Sequence, residues 1–189
     1  CRYNAAIRGG PWTPGTTAWV EPTALFMIAL VRAGVAPGHD RIRSGVRLLV
    51  DRRVRSGGWN FGNPYSRPHE LEPGLMSTAL ALAALAAAAC PEDGPGVSEG
   101  FAFLEQSLAG PVGTASLAWS LLALLAWPGG ARLAAAAADR LARLQAPDGG
   151  FGGSPFETAL AALVLGRPEA LVSVAARHGE EDGAKEAGP

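Results

Sequence analysis

The chain has 189 residues, a mass of 19.3 kDa, 48% hydrophobic and 17% charged residues, and a formal net charge of -1. That length fits one buried core, and so low a charged fraction excludes a disordered polymer. Near-balanced charge argues against general nucleic-acid binding, which needs surplus Lys and Arg, and two cysteines, Cys1 and Cys90, are too few for a disulfide framework.

The first element in chain order is a turn, Ala6-x-x-x-Gly10-Pro11-Trp12, with a Gly two residues before a ring. Thr23-Ala24-Leu25 then opens a charge-free helical segment over 23–31. An amphipathic helix follows, its apolar stripe at Ile42, Val46, Leu49 and Val50 and its polar face at Arg41, Arg43 and Arg47. The unit then repeats. The second turn is Arg53-x-x-x-Gly57-Gly58-Trp59, followed by Thr78-Ala79-Leu80 in a charge-free helix over 77–89 and by a stripe at Val97, Phe101, Leu104 and Leu108. The third is Gln106-x-x-x-Gly110-Pro111-Val112, followed by Thr114-Ala115-Ser116 at the head of a charge-free helix over 114–127 and by a stripe at Leu133, Ala137, Leu141 and Leu144. The fourth is Gln145-Ala146-Pro147-Asp148-Gly149-Gly150-Phe151, followed by Thr158-Ala159-Leu160.

A helix that is apolar all round is expected to be buried on both sides. The reading is therefore all-α: about four α/α hairpins in an open arc, amphipathic helices outside, apolar helices inside, and the Gly turns at one end. Residues 1–178 form one repeat domain with an incomplete first hairpin, and 179–189, with Glu180, Glu181 and Asp182, are expected to be a disordered acidic tail. The longest charge-free runs, 73–91 and 106–131, have unbroken apolar cores shorter than the roughly 20 residues of a membrane span, so no transmembrane segment is expected. The chain opens Cys1-Arg2-Tyr3-Asn4 without an apolar secretory stretch. The expected location is cytoplasmic, and the missing initial Met points to a fragment or a processed chain.

The pattern Q-x-x-x-G-x-W before an apolar helix resembles the repeat of squalene-hopene cyclases and other terpenoid cyclases. The same hairpin architecture recurs in protein prenyltransferase β subunits, the α/α-toroid group. Turn 145–151 matches with Phe for Trp, turn 106–112 with Val for Trp, turn 53–59 with Arg for Gln and turn 6–12 with Ala for Gln. The likeness runs over about residues 6–166 and implies a partial toroid handling an isoprenoid or other hydrophobic substrate. It does not carry over residue by residue to an activity. The D-x-D-D acid of the cyclases is absent, and Cys90, in Ala89-Cys90-Pro91, lacks the Asp of the prenyltransferase zinc site. No metal and no cofactor are expected.

Candidate chemistry lies where the inner helices begin. Glu21, Glu72 and Glu157 precede or open such helices, and a carboxylate beside an apolar cavity has its pKa raised and becomes a general acid. The competing reading is ordinary helix-start chemistry, acidic residues and Pro in a first turn. Trp19 and Trp119 are candidate ligand faces, with Tyr65 and His69 from the loop before the second inner helix, and core packing explains the two Trp rings equally well. Arg52, Arg53 and Arg55 suit either a diphosphate or a solvated helix face. His39 reads as a helix-start residue, and His178 lies near the terminus. The alternative function is a non-catalytic scaffold that associates with itself or with a partner chain completing the arc.

Overall fold

The computed structural model describes residues 3–63, 65, 66 and 69–173. Among them are α1 (Val20–Arg32), α2 (Asp40–Asp51), α3 (Leu75–Ala87), α4 (Val97–Leu108), α5 (Thr114–Leu125), α6 (Ala131–Ala142) and α7 (Pro155–Gly166). The protein is all-α. Its extended structure among the described residues is a two-residue ladder, β1 (Tyr65–Ser66) against β2 (His69–Glu70), in the loop before α3, and single bridges at the turns.

The helix boundaries follow from local chemistry. His39 caps α2, its Nδ1 accepting the Arg41 N–H at 3.2 Å. Helices α1 and α3 end alike: the Val35 N–H donates to the Leu30 carbonyl at 3.0 Å and the Cys90 N–H to Leu85 at 3.0 Å, each across a left-handed residue. In α1 that residue is Gly34; in α3 it is Ala89, which pays a steric cost that Gly avoids.

Packing sorts the helices into two rows. Helix α3 lies between α1 and α5, and α7 packs on the far side of α5; α2, α4 and α6 back α1, α3 and α5 respectively. The first row is apolar because it is covered from several sides: α3 buries nine consecutive residues from Ser77 to Leu85. The second row is amphipathic because one face is wet. Close approach between rows uses glycine, since a Cβ at Gly45 of α2 would overlap Met27 of α1, and one at Gly100 of α4 would press on Leu82 of α3 and on Trp59. Two buried indoles tie the layers together: Trp59 Nε1 donates to the Leu49 carbonyl at 2.6 Å, and Trp127 Nε1 to the Leu82 carbonyl at 3.0 Å.

The second and fourth turns share one device. In the second, the Val54 N–H donates to the Gly58 carbonyl at 3.0 Å; in the fourth, the Ala146 N–H donates to Gly150 at 2.8 Å. The following ring residue is then held at both backbone groups by a Thr hydroxyl from the next helix. Thr78 Oγ1 accepts the Trp59 N–H at 2.9 Å and donates to its carbonyl at 3.1 Å; Thr158 Oγ1 does the same to Phe151 at 2.9 and 3.3 Å.

Two of the four expected turns depart from this register. Thr23 Oγ1 accepts the Gly10 N–H at 2.8 Å, so Gly10, not Trp12, occupies the ring position, and Trp12 is 62% exposed. In the third repeat, Gln106 lies inside α4, and Thr114 is the first residue of α5 rather than the fourth, which is Leu117. A different clasp replaces the hydroxyl there: Arg140 of α6 donates to the Leu108 and Gly110 carbonyls at 2.6 Å each. A further correction concerns the ends of the row. The expectation that apolar helices are covered on both sides holds for α3 and α5, but α1 exposes Leu25, Phe26 and Ala29, and α7 exposes Phe156, Ala159, Ala162 and Leu165.

Candidate functional site

The residues singled out from sequence gather mainly at the N-terminal end of the first row. Glu21, the second residue of α1, accepts a hydrogen bond from the Ser77 hydroxyl of α3 at 2.8 Å. Glu157, the third residue of α7, accepts the Ala115 N–H in the first turn of α5 at 3.2 Å. That N–H has no partner within its own helix, so the carboxylate caps α5 from a neighbouring helix. Both contacts join N-terminal turns, so α1 runs parallel to α3, and α7 to α5. Glu21 and Glu157 are half-buried and act as links between helices. Glu72 is exposed in the segment before α3.

Trp19 precedes α1 and packs its ring at 5.7 Å and a 44° tilt on Phe61; the two segments are joined by the Val20 N–H donating to the Phe61 carbonyl at 3.0 Å. Trp119 sits on α5, half-buried against the core. His69 is exposed in β2, and Tyr65 stands in β1 with its ring outside the described residues, as are His178 and the tail 179–189. The structure brings Glu21 and Trp19 to one end of α1.

One member of the Arg group, Arg52, is corrected; Arg55 is exposed. Arg52 is 1% exposed: its guanidinium lies 3.9 Å from the Tyr3 ring centroid and 3.3 Å from Asp51, and its Nε has no hydrogen-bond partner among the described residues. Burial pushes its pKa down, opposed by Asp51 and Tyr3. Arg52 anchors the N-terminal segment and is not open to a diphosphate. Arg53 is half-buried, its Nε donating to the Val50 carbonyl at 3.2 Å.

One apolar groove, of about 200 Å³, lies between α4, α5 and α6, floored by Leu108, Leu117, Leu133 and Ala137 and edged by Glu105 and Arg140. This is below the roughly 300 Å³ at which pockets for drug-sized ligands begin. Among the described residues no three His, Cys, Asp or Glu side chains are placed to hold a metal, and no helix is long and apolar enough to cross a membrane. Cys90 is a free, half-buried thiol whose pKa burial pushes up.

The feature with the most distinct geometry is the exposed face that an open arc implies, at residues the sequence did not single out. The Thr register aligns the first-row helices residue by residue. Ala159, Ala162 and Leu165 of α7 then match Ala79, Leu82 and Leu85 of α3 and, with Leu117 in the Thr place, Ala118, Leu121 and Leu124 of α5. All six of those counterparts are at most 2% exposed, whereas Leu165 is 37% exposed, and Phe156, one turn before Ala159, is 61% exposed. At the other end, Leu25 and Ala29 of α1 match Leu80 and Ala84 of α3 and Leu160 and Val164 of α7, all four of them buried. So α7 presents core positions on the side where a following helix would lie, and α1 presents core positions on the side where a preceding helix would lie.

No family model, curated protein or solved structure matches the chain. The two unfilled faces and the linking role of the candidate carboxylates therefore carry the functional reading.

Proposed function

We propose that this chain is a non-catalytic helical-repeat scaffold, an open arc of the α/α-toroid kind, whose working surfaces are the exposed apolar faces of α1 and α7. The observation that carries the reading is the exposure on α7 of residues whose counterparts in α3 and α5 are core. Contiguous apolar surface of that sort marks an interaction site. The candidate acids support the same reading, because Glu21 and Glu157 are bound to Ser77 and to the Ala115 N–H, which leaves their carboxylates holding helices together.

The test is dye binding by the dilute chain. The wild type is expected to bind a hydrophobic fluorescent dye, and the double substitution Phe156→Lys, Leu165→Lys to lose most of that signal. Its melting temperature should stay within about 2 °C, since surface changes usually fall within about 0.5 kcal/mol. Absence of dye binding, or a double variant that unfolds, would overturn the reading.

A second reading, handling of an isoprenoid or other hydrophobic small molecule, is favoured by the fourth turn. There Gln145 Nε2 donates to the Gly149 carbonyl at 3.0 Å, in keeping with the Q-x-x-x-G-x-ring pattern. A lipid-sized mass carried by the chain in native mass spectrometry would favour this reading over the scaffold.

A further inference from the structure

We infer that the groove between α4, α5 and α6 is a binding site for a small apolar acid, one aromatic ring or short alkyl chain bearing a carboxylate, with Arg140 as its anchor. The site lies mid-chain, apart from the exposed faces of α1 and α7, and does not rest on the scaffold reading.

The groove forms because α4 packs on α3 and α6 on α5, which leaves a gap between the two second-row helices with Leu117 of α5 at its bottom. Two arginines of α6 span the gap. Arg132 pairs with Glu105 of α4 at 2.6 Å, and Arg140 donates to the Leu108 and Gly110 carbonyls at 2.6 Å each. The floor of Leu108, Leu117, Leu133 and Ala137 is apolar, and Ala136 stands exposed at its rim. The small side chains of Ala136 and Ala137 keep the space open, where a larger residue on α6 would close it.

Size sets the first limit on the ligand. A cavity of about 150 Å³ lined by apolar side chains takes up benzene, so the groove, of about 200 Å³, matches one ring or a chain of similar volume rather than a peptide segment.

Charge sets the second limit. Arg132 and Glu105 neutralise each other at one edge. Arg140 is half-buried and has no carboxylate within ion-pair distance among the described residues, so one positive charge stands at the other edge without a counter-ion. A guanidinium carries five N–H donors, and the two carbonyl bonds use two of them. The others are left to meet an anion. A carboxylate suits them, because charge-assisted bonds from Arg are roughly twice as strong as neutral ones, and the attraction grows where an apolar floor displaces water. A cationic ligand of the same shape is repelled, and a neutral one forgoes the charge-assisted bond.

The test is a titration of the full chain with phenylacetate, phenylacetamide and phenethylamine, followed by the backbone amide NMR signals of the groove. Phenylacetate is expected to shift the Leu108, Leu117 and Leu133 amides saturably with a Kd of about 1 mM, near what some ten heavy atoms achieve. Phenylacetamide should bind roughly tenfold more weakly, the difference between a charged and a neutral hydrogen bond, and phenethylamine should not bind. Ala136→Phe fills the groove from an exposed position; it should abolish the shifts and leave the melting temperature within about 2 °C. Arg140→Met should lower phenylacetate to the affinity of the amide, and if that variant unfolds, the acid and amide compared on the wild type still decide the anchor. No shift of these amides by phenylacetate at about 20 mM, well above that Kd, would overturn the site. Equal binding of acid and amide would overturn Arg140 as its anchor, and shifts that survive Ala136→Phe would overturn its place in the groove. Dye binding at α7 tests the scaffold reading separately, so either can fail without the other.

Discussion

Replacing Trp59 with Ala is expected to lower the stability of the folded chain by about 3–5 kcal/mol, the usual range for emptying a buried indole site, and to lower the melting temperature by roughly 10 °C or more. Three features place the effect at the upper end for a single substitution. The side chain is 0% exposed, its Nε1–H donates to the Leu49 carbonyl at the end of α2, and its ring fills the space that Gly100 leaves open in α4. The Ala variant would lose apolar burial, leave the Leu49 carbonyl without that donor, and open a cavity between α2, α3 and α4 that the parallel rows have little freedom to close. Thermal unfolding followed by circular dichroism measures it, and a loss below about 1 kcal/mol would mean that the second turn does not anchor the rows.

The second large effect is expected at Thr78. Thr78→Val keeps the shape but removes the hydroxyl that accepts the Trp59 N–H and donates to the Trp59 carbonyl. The carbonyl keeps a donor, the Gly74 N–H at 2.8 Å, whereas the buried N–H loses the Thr78 hydroxyl as its acceptor. An unsatisfied buried N–H costs about 1–3 kcal/mol, so the expected loss is about 2–3 kcal/mol. The same change at Thr158 is expected to cost less than about 1 kcal/mol, because Thr158 is only half-buried and water can replace the hydroxyl. Chemical denaturation of the two variants side by side checks the ordering; equal losses would show that the hydroxyl device does not depend on burial as argued.

The helices were legible in the sequence because two periodicities separate them cleanly. Stripes such as Ile42, Val46 and Leu49 need one apolar surface, and charge-free runs such as 77–89 need several, and the structure places them in two rows accordingly. Thr78 and Thr158 were legible as the heads of repeats, whereas the bond each hydroxyl makes depends on a ring residue from the preceding turn. The third repeat misled because its Thr-Ala pair is a genuine helix start placed three residues early, and because the clasp of that turn, Arg140, comes from the following hairpin. The first misled because Trp12 follows a Gly turn, while the hydroxyl of Thr23 selects Gly10.

The candidate site was the least legible part. A Glu that opens a helix reads the same whether it faces a cavity or ties two helices together, and its sequence does not name its partners, here Ser77 and the Ala115 N–H. Likewise Ala159, Ala162 and Leu165 have the composition of core residues, because the repeat that generates them is a core repeat. Whether they are covered depends on a neighbour, and periodicity along one helix does not record its neighbours.

The central claim is that α1 and α7 expose positions whose counterparts in α3 and α5 are core. Hydrogen exchange of the full chain in dilute protein tests it most directly. The account predicts that amides of α1 and α7 exchange faster than those of α3 and α5. Exchange in α7 that is as slow as in α3 would contradict it.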